Sequence, residues 1–293
     1  MITARIREML EACESGNPAF PPTTLFGEGW LLRVILDWFA NHGGDRYPLS
    51  PRPEARWFAE AWLPSAFLAR YRGDELAESR THADAAIGHF RIGDPGTSSG
   101  LTLADDARQL VVVEAKLFNR LSSGVKNARF FDQAARSVAC LAEILRRSVR
   151  NPAEMHDLSL LVVAPRARID DGVFARDTTV ENIRRKVARR VAQYGGERDA
   201  WRLDWFEPTL ARVETRCLAW EDLIETIAFH DPTAGQLIDS FYAKCLLFNH
   251  PRERSAFPGP KAGANRPWTD RQAEAVAFAP FDLGPRQLEP TRN

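Results

Sequence analysis

Glu114-Ala115-Lys116 closes the apolar run Leu110-Val111-Val112-Val113, which predicts a buried strand. Strand side chains alternate, so Glu114 and Lys116 fall on one face and Ala115 on the other. A carboxylate and an ammonium at the end of a core strand are costly to desolvate unless paired or coordinated. Upstream, Thr81–Phe90 reads as a second short strand with Asp84 near its start. Together these residues can build a divalent-metal site beside a lysine. Mg²⁺ takes oxygen ligands and usually only one or two protein carboxylates, which Asp84 and Glu114 would supply, with the Ala115 carbonyl as a third oxygen. A cation held there would polarise a phosphodiester and lower the pKa of a bound water. Lys116 would orient or deprotonate that water, or neutralise charge building on the phosphate. Burial beside a metal would depress a lysine's pKa in a way arginine cannot match. Only five of the 39 cationic side chains are lysine, and this is the only acid-x-Lys triplet in the chain.

Several elements must position these residues. Residues 2–13 read as a short amphipathic helix. A stronger helix follows Pro21-Pro22, with Thr23 or Thr24 as its N-cap, and ends at Gly43-Gly44. Leu31, Ile35, Trp38 and Phe39 form its apolar face, and Glu28 falls inside that face, where a carboxylate needs a partner. Residues 52–71 read as helix interrupted at Pro64, and 108–117 as the strand that carries the triplet. The turn-rich segment Asp94–Gly100 joins the two strands. A long helix is predicted over 125–147, a strand over 158–164, a basic helix over about 180–194, a strand over 216–220, and helices over 220–229 and 233–247. Residues 1–250 then form one domain, and the proline-punctuated stretch 251–293 reads as an extended or partly disordered tail. This order fits an α/β core with a mixed sheet.

Composition narrows the setting. The chain has 293 residues, 44% hydrophobic and 27% charged, with a formal net charge of zero. That excludes a polycation, so any nucleic-acid surface must come from local patches. Cys13, Cys140, Cys217 and Cys245 lack CxxC spacing, which argues against a zinc site or a disulfide framework and fits a reducing cytoplasm. No leader peptide is read at the N-terminus, and no apolar run approaches the roughly 20 residues of a membrane span.

Asp84 followed by Glu114-Ala115-Lys116 at the end of a hydrophobic strand resembles the PD-(D/E)XK nuclease superfamily, over roughly residues 23–165 and on toward 230. The resemblance implies a restriction-endonuclease-like α/β fold, its central mixed β-sheet flanked by helices, with extra helices. It makes Asp84 and Glu114 metal ligands, Lys116 catalytic, and Glu28 an auxiliary ligand or site-shaping acid. Gln133 matches a glutamine of some RecB-like members, although Ser137 stands where those members carry an aromatic residue. Ala83 replaces the proline of the family name. The implied activity is Mg²⁺-dependent phosphodiester hydrolysis, with Mn²⁺ as substitute and DNA as the first substrate. The alternatives are an inactive nuclease-fold protein that binds nucleic acid or acts as a scaffold, and a plain strand-end ion pair. A homodimer and a partner protein of a larger system both stay open.

Phosphate contacts would come from two basic tracks. Arg184, Arg185, Lys186, Arg189 and Arg190 face only one acid, Glu181, on the basic helix. Lys126, Arg129 and Arg136 flank the helix after the triplet, with Gln133 between them. His82, two residues before Asp84, either shares its face or is a half-exposed strand histidine.

Overall fold

Gln109–Ala115 is a strand buried along its whole length, as its four consecutive apolar residues require of a central strand. In chain order the strands are β1 (Arg56–Leu63), β2 (Thr81–Gly88), β3 (Phe90–Ile92), β4 (Leu101–Leu103), β5 (Gln109–Ala115), β6 (Asp157–Ala164) and β7 (Glu214–Ala219). Five of them form one sheet in the order β1-β2-β5-β6-β7, while β3 and β4 pair with each other. Neighbours are antiparallel from β1 to β5 and parallel from β5 to β7, so the sheet is mixed. The computed structural model describes residues 2–16, 19–44, 47–78, 81–93, 100–124 and 127–251.

The helices are α1 (Ile2–Glu14), α2 (Glu28–His42), α3 (Gln133–Arg147), α4 (Arg166–Asp170), α5 (Val180–Ala192), α6 (Asp199–Trp201), α7 (Glu207–Arg212), α8 (Trp220–His230) and α9 (Pro232–Asn249). A π-helical turn, Arg202–Phe206, joins α6 to α7. Two cores result. One packs α3, α5 and α7 with Leu110, Val112 and Leu160; the other packs α2, α8 and α9 with Val111, Val113 and Leu161. The alternation of β5 and β6 thus feeds both layers, and the chain is an α/β protein with helices on both faces of a mixed sheet. Among the described residues, no helix is long and apolar enough to cross a membrane.

Three sequence expectations change. The helix expected over 52–71 is instead strand β1 and its loops. Trp57, Phe58 and Trp62 suit a strand, and pairing with β2 overrides the helical leaning of Ala59-Glu60-Ala61. The helix expected from 125 begins at Gln133, because the Asp132 side chain caps it by accepting the Ala135 N–H at 3.2 Å. Gly124 folds the preceding segment tightly, since a Cβ there would overlap the Ala128 and Phe131 carbonyls. Helix α2 begins at Glu28 behind Gly27; Thr23 and Thr24 lie in a separate 3₁₀ turn. Lys126, the Asp94–Ser99 part of the expected turn and positions 252–293 of the expected tail lie outside the described residues.

Gly88 ends β2 with a φ of 153°, and a Cβ there would run into the Gln109 carbonyl of β5. Gly88→Ala should therefore push β2 off β5 and cost about 1–3 kcal/mol. A thermal melt that matches the parent would contradict this.

Candidate active site

Register brings the two carboxylates together. Ala85 of β2 pairs with Val113 of β5, so Asp84 and Glu114 are the next opposed residues, at the point where the ladder stops. The neighbouring ladder also skips Asp84: β1 pairs with β2 at Ala59–Ala85 and Ala61–Ala83, while Glu60 between them adopts φ 54°. Left-handed backbone at a non-glycine residue inside a strand is costly. The hairpin turns over there. Trp57, Ala85 and Ile87 pack in the α2 core, whereas Ala61, Leu63 and Ala83 pack in the α3 core. That break releases Asp84 from regular pairing. It also leaves His82 an exposed strand histidine against the Trp62 ring, 5.1 Å between centroids.

Asp84 Oδ2 accepts the Ala115 N–H at 2.7 Å and the Lys116 ammonium at 3.1 Å. The same ammonium donates to the Ala115 carbonyl at 2.8 Å and lies 3.7 Å from Glu114 Oε2. One cation is thus ringed by the three oxygens that the sequence marks as metal ligands. Two carboxylates and a carbonyl are hard donors of the kind Mg²⁺ takes, and they already converge on a positive charge. The residues fit the ion. Among the described residues there is no group of three or more His, Cys, Asp and Glu side chains that could hold a metal, so a cation here would need the Ala115 carbonyl among its ligands.

Glu114 is 0% exposed. Gln133 Nε2 donates to its Oε2, and Ser137 Oγ donates to Oε1 at 2.9 Å. Burial pushes its pKa up to about 8, with the Asp84 charge adding to the rise and Lys116 and Ser137 opposing it. Lys116 is 6% exposed. Burial alone would lower its pKa, but Asp84, Glu114 and Glu28 outweigh that and raise it. An ammonium among acids stays charged.

The backbone beneath is fixed from three sides. The Lys116 N–H bonds the Val163 carbonyl of β6 at 2.8 Å, and Trp220 Nε1 of α8 donates to the Lys116 carbonyl at 3.0 Å. Glu28 Oε2 accepts the Leu117 N–H at 2.9 Å. Glu28 thus reaches the strand end from the first turn of α2, half-buried as its place in the apolar face predicts. Ser137 escaped sequence reasoning as a ligand of Glu114. Its signal was present, because Gln133 and Ser137 are four residues apart and polar within an apolar helix face.

The basic helix α5 behaves differently from a free cationic stripe. Arg190 is 0% exposed and pairs with Glu78 at 3.0 Å, so it cannot contact nucleic acid. Arg184 pairs with Glu207 at 3.0 Å. Lys186 is held by Asp132 and by Asp177. Arg185 bonds Asn182, and Arg189 lies over the Phe130 ring at 4.0 Å from its centroid. Arg129 is exposed. Arg185, Arg189 and Arg129 keep charge available to a ligand; Arg190 was misread because its acid lies far away in sequence.

Comparisons with protein-family models, with characterised proteins and with solved structures find no match to this chain.

Proposed function

We propose that this protein is a divalent-cation-dependent nuclease with a restriction-endonuclease-like core, hydrolysing phosphodiester bonds, in DNA first. The observation that carries this reading is the ring of Asp84, Ala115 carbonyl and Glu114 oxygens around the Lys116 ammonium. Asp84, Glu114 and the Ala115 carbonyl would hold Mg²⁺, with Mn²⁺ as substitute. The ion, when bound, supplies Lewis-acid polarisation of the phosphodiester and an acidified water.

The chain's own residues do the rest. Gln133 and Ser137 hold the two Glu114 oxygens in one orientation. Glu28 fixes the backbone at Leu117, directly after the lysine. Lys116, kept charged by its neighbours, is suited to neutralising charge that develops on the phosphate; its raised pKa favours that role over deprotonating water. The complete burial of Glu114, with its pKa near 8, favours a second reading: a catalytically silent nuclease-fold protein that binds nucleic acid or serves as a scaffold.

Incubation with plasmid and with single-stranded DNA in Mg²⁺, Mn²⁺ or EDTA separates the two. Cutting in either metal but not in EDTA is expected. Intact substrates in every condition, with binding retained, would favour the silent reading.

A further inference from the structure

A cavity of about 610 Å³ opens between the loop before α3 and the exposed side of α5. One residue of its lining leads into the candidate active site. Asp132 lines it, and the next residue, Gln133, touches Glu114. Its charge is out of balance. Asp132 and Asp177 are both engaged by Lys186. Arg129, Arg176, Arg185 and Arg189 also line it, and none of these four has a carboxylate partner among the described residues. By contrast, Arg146 and Arg147 pair with Glu143, and Arg190 pairs with Glu78. Five cationic and two acidic side chains leave the lining with an excess of three positive charges, which calls for an anion.

The hollow also offers a flat surface. The Arg189 guanidinium stacks over Phe130, and both residues line the cavity. Bases stack on arginine planes and aromatic rings only when they are out of a duplex, because pairing and stacking hide their faces. A concave pocket large enough for a small ligand, cationic and with one stacking platform, suits a single nucleotide with its phosphates better than the evenly spaced backbone of a double helix.

Resting on the nuclease reading, we infer that this cavity holds an unpaired nucleotide beside the scissile bond, and that the substrate is single-stranded at the site. Arg129, Arg176 and Arg185 neutralise its phosphates, and the Arg189–Phe130 stack receives its base.

The test is metal-free. In EDTA, fluorescence anisotropy compares a labelled twelve-residue oligothymidylate, an abasic strand of the same length and a twelve-base-pair duplex. The oligothymidylate should bind about tenfold or more tightly than either. Arg189→Lys keeps the charge and loses the plane, so it should reduce the preference over the abasic strand several-fold. Arg176→Ala should weaken both single strands and flatten their salt dependence. Circular dichroism shows whether each variant is folded. Duplex binding equal to or tighter than the single strand, or an unaltered preference in Arg189→Lys, would overturn the inference. Mg²⁺-dependent cutting confined to duplex would overturn it too and leave the nuclease reading standing. A single-strand preference without any cutting would uphold the cavity and remove the nuclease.

Discussion

Lys116→Ala should slow Mg²⁺-dependent cutting by on the order of 10²–10³-fold, yet leave divalent-cation binding intact or tighter. The split follows from geometry. The ammonium sits 3.1 Å from Asp84 and 2.8 Å from the Ala115 carbonyl, so it competes with any other cation for the same oxygens. Removing it frees the donors but deletes the charge that would meet the phosphate. Asp84→Asn should behave differently and lose both binding and cutting, because a neutral amide is a poor ligand for a hard cation. Its amide can still accept the Ala115 N–H, so the strand end should hold and the melt should stay near that of the parent. Cleavage rates and cation titrations on the two variants check this. Equal cutting by parent and Lys116→Ala would remove Lys116 from the site.

Stability without metal should fall as pH rises, and Glu114 should cause much of the fall. Its native carboxyl keeps its proton to about pH 8, against an ordinary value of 4.5. Between those values the native state binds more protons than the unfolded state, so stability drops with rising pH. The contribution is fully present below about pH 4.5 and gone above about pH 8. It is worth on the order of 3–5 kcal/mol. Asp74 and Glu143, whose pKa values are lowered by Arg70 and by Arg146 and Arg147 despite burial, act below this window with the opposite sign. Glu78 and Asp132, raised chiefly by burial, act in the same sense as Glu114. Glu114→Gln isolates the effect: denaturant melts in EDTA at pH 5 and pH 8.5 should differ less for the variant than for the parent. Identical pH dependence in the two proteins would show that Glu114 is not held protonated.

The convergence of charged residues at the strand end was legible because it rests on local rules. Alternation alone places Glu114 and Lys116 on one side of β5, and an acid within the apolar face of α2 marked Glu28 as a residue with a partner. Other features depend on distant pairings. Ala59-Glu60-Ala61 leans toward helix until β2 pairs with it, so β1 and its left-handed residue were hidden. Arg190 resembles its neighbours on α5, and only Glu78, 112 residues away, draws it inside. The cavity combines Arg129, Arg176 and Arg189 from three segments, a juxtaposition that no single stretch of sequence displays. Asp84 stands between these cases. Its residue type was readable, but its reach to the Ala115 N–H requires one ladder to stop and the other to skip a pair at the same level.

Asp84, Glu114 and the Ala115 carbonyl are proposed to form one divalent-cation site. A Mn²⁺ titration followed by the paramagnetic resonance of the free ion addresses it without any substrate. One ion per chain is expected at pH 8.5, with weaker binding at pH 6, where Glu114 must first lose its proton. Asp84→Asn should lose that binding. Absence of Mn²⁺ binding at both pH values, or the same isotherm for parent and Asp84→Asn, would contradict the site.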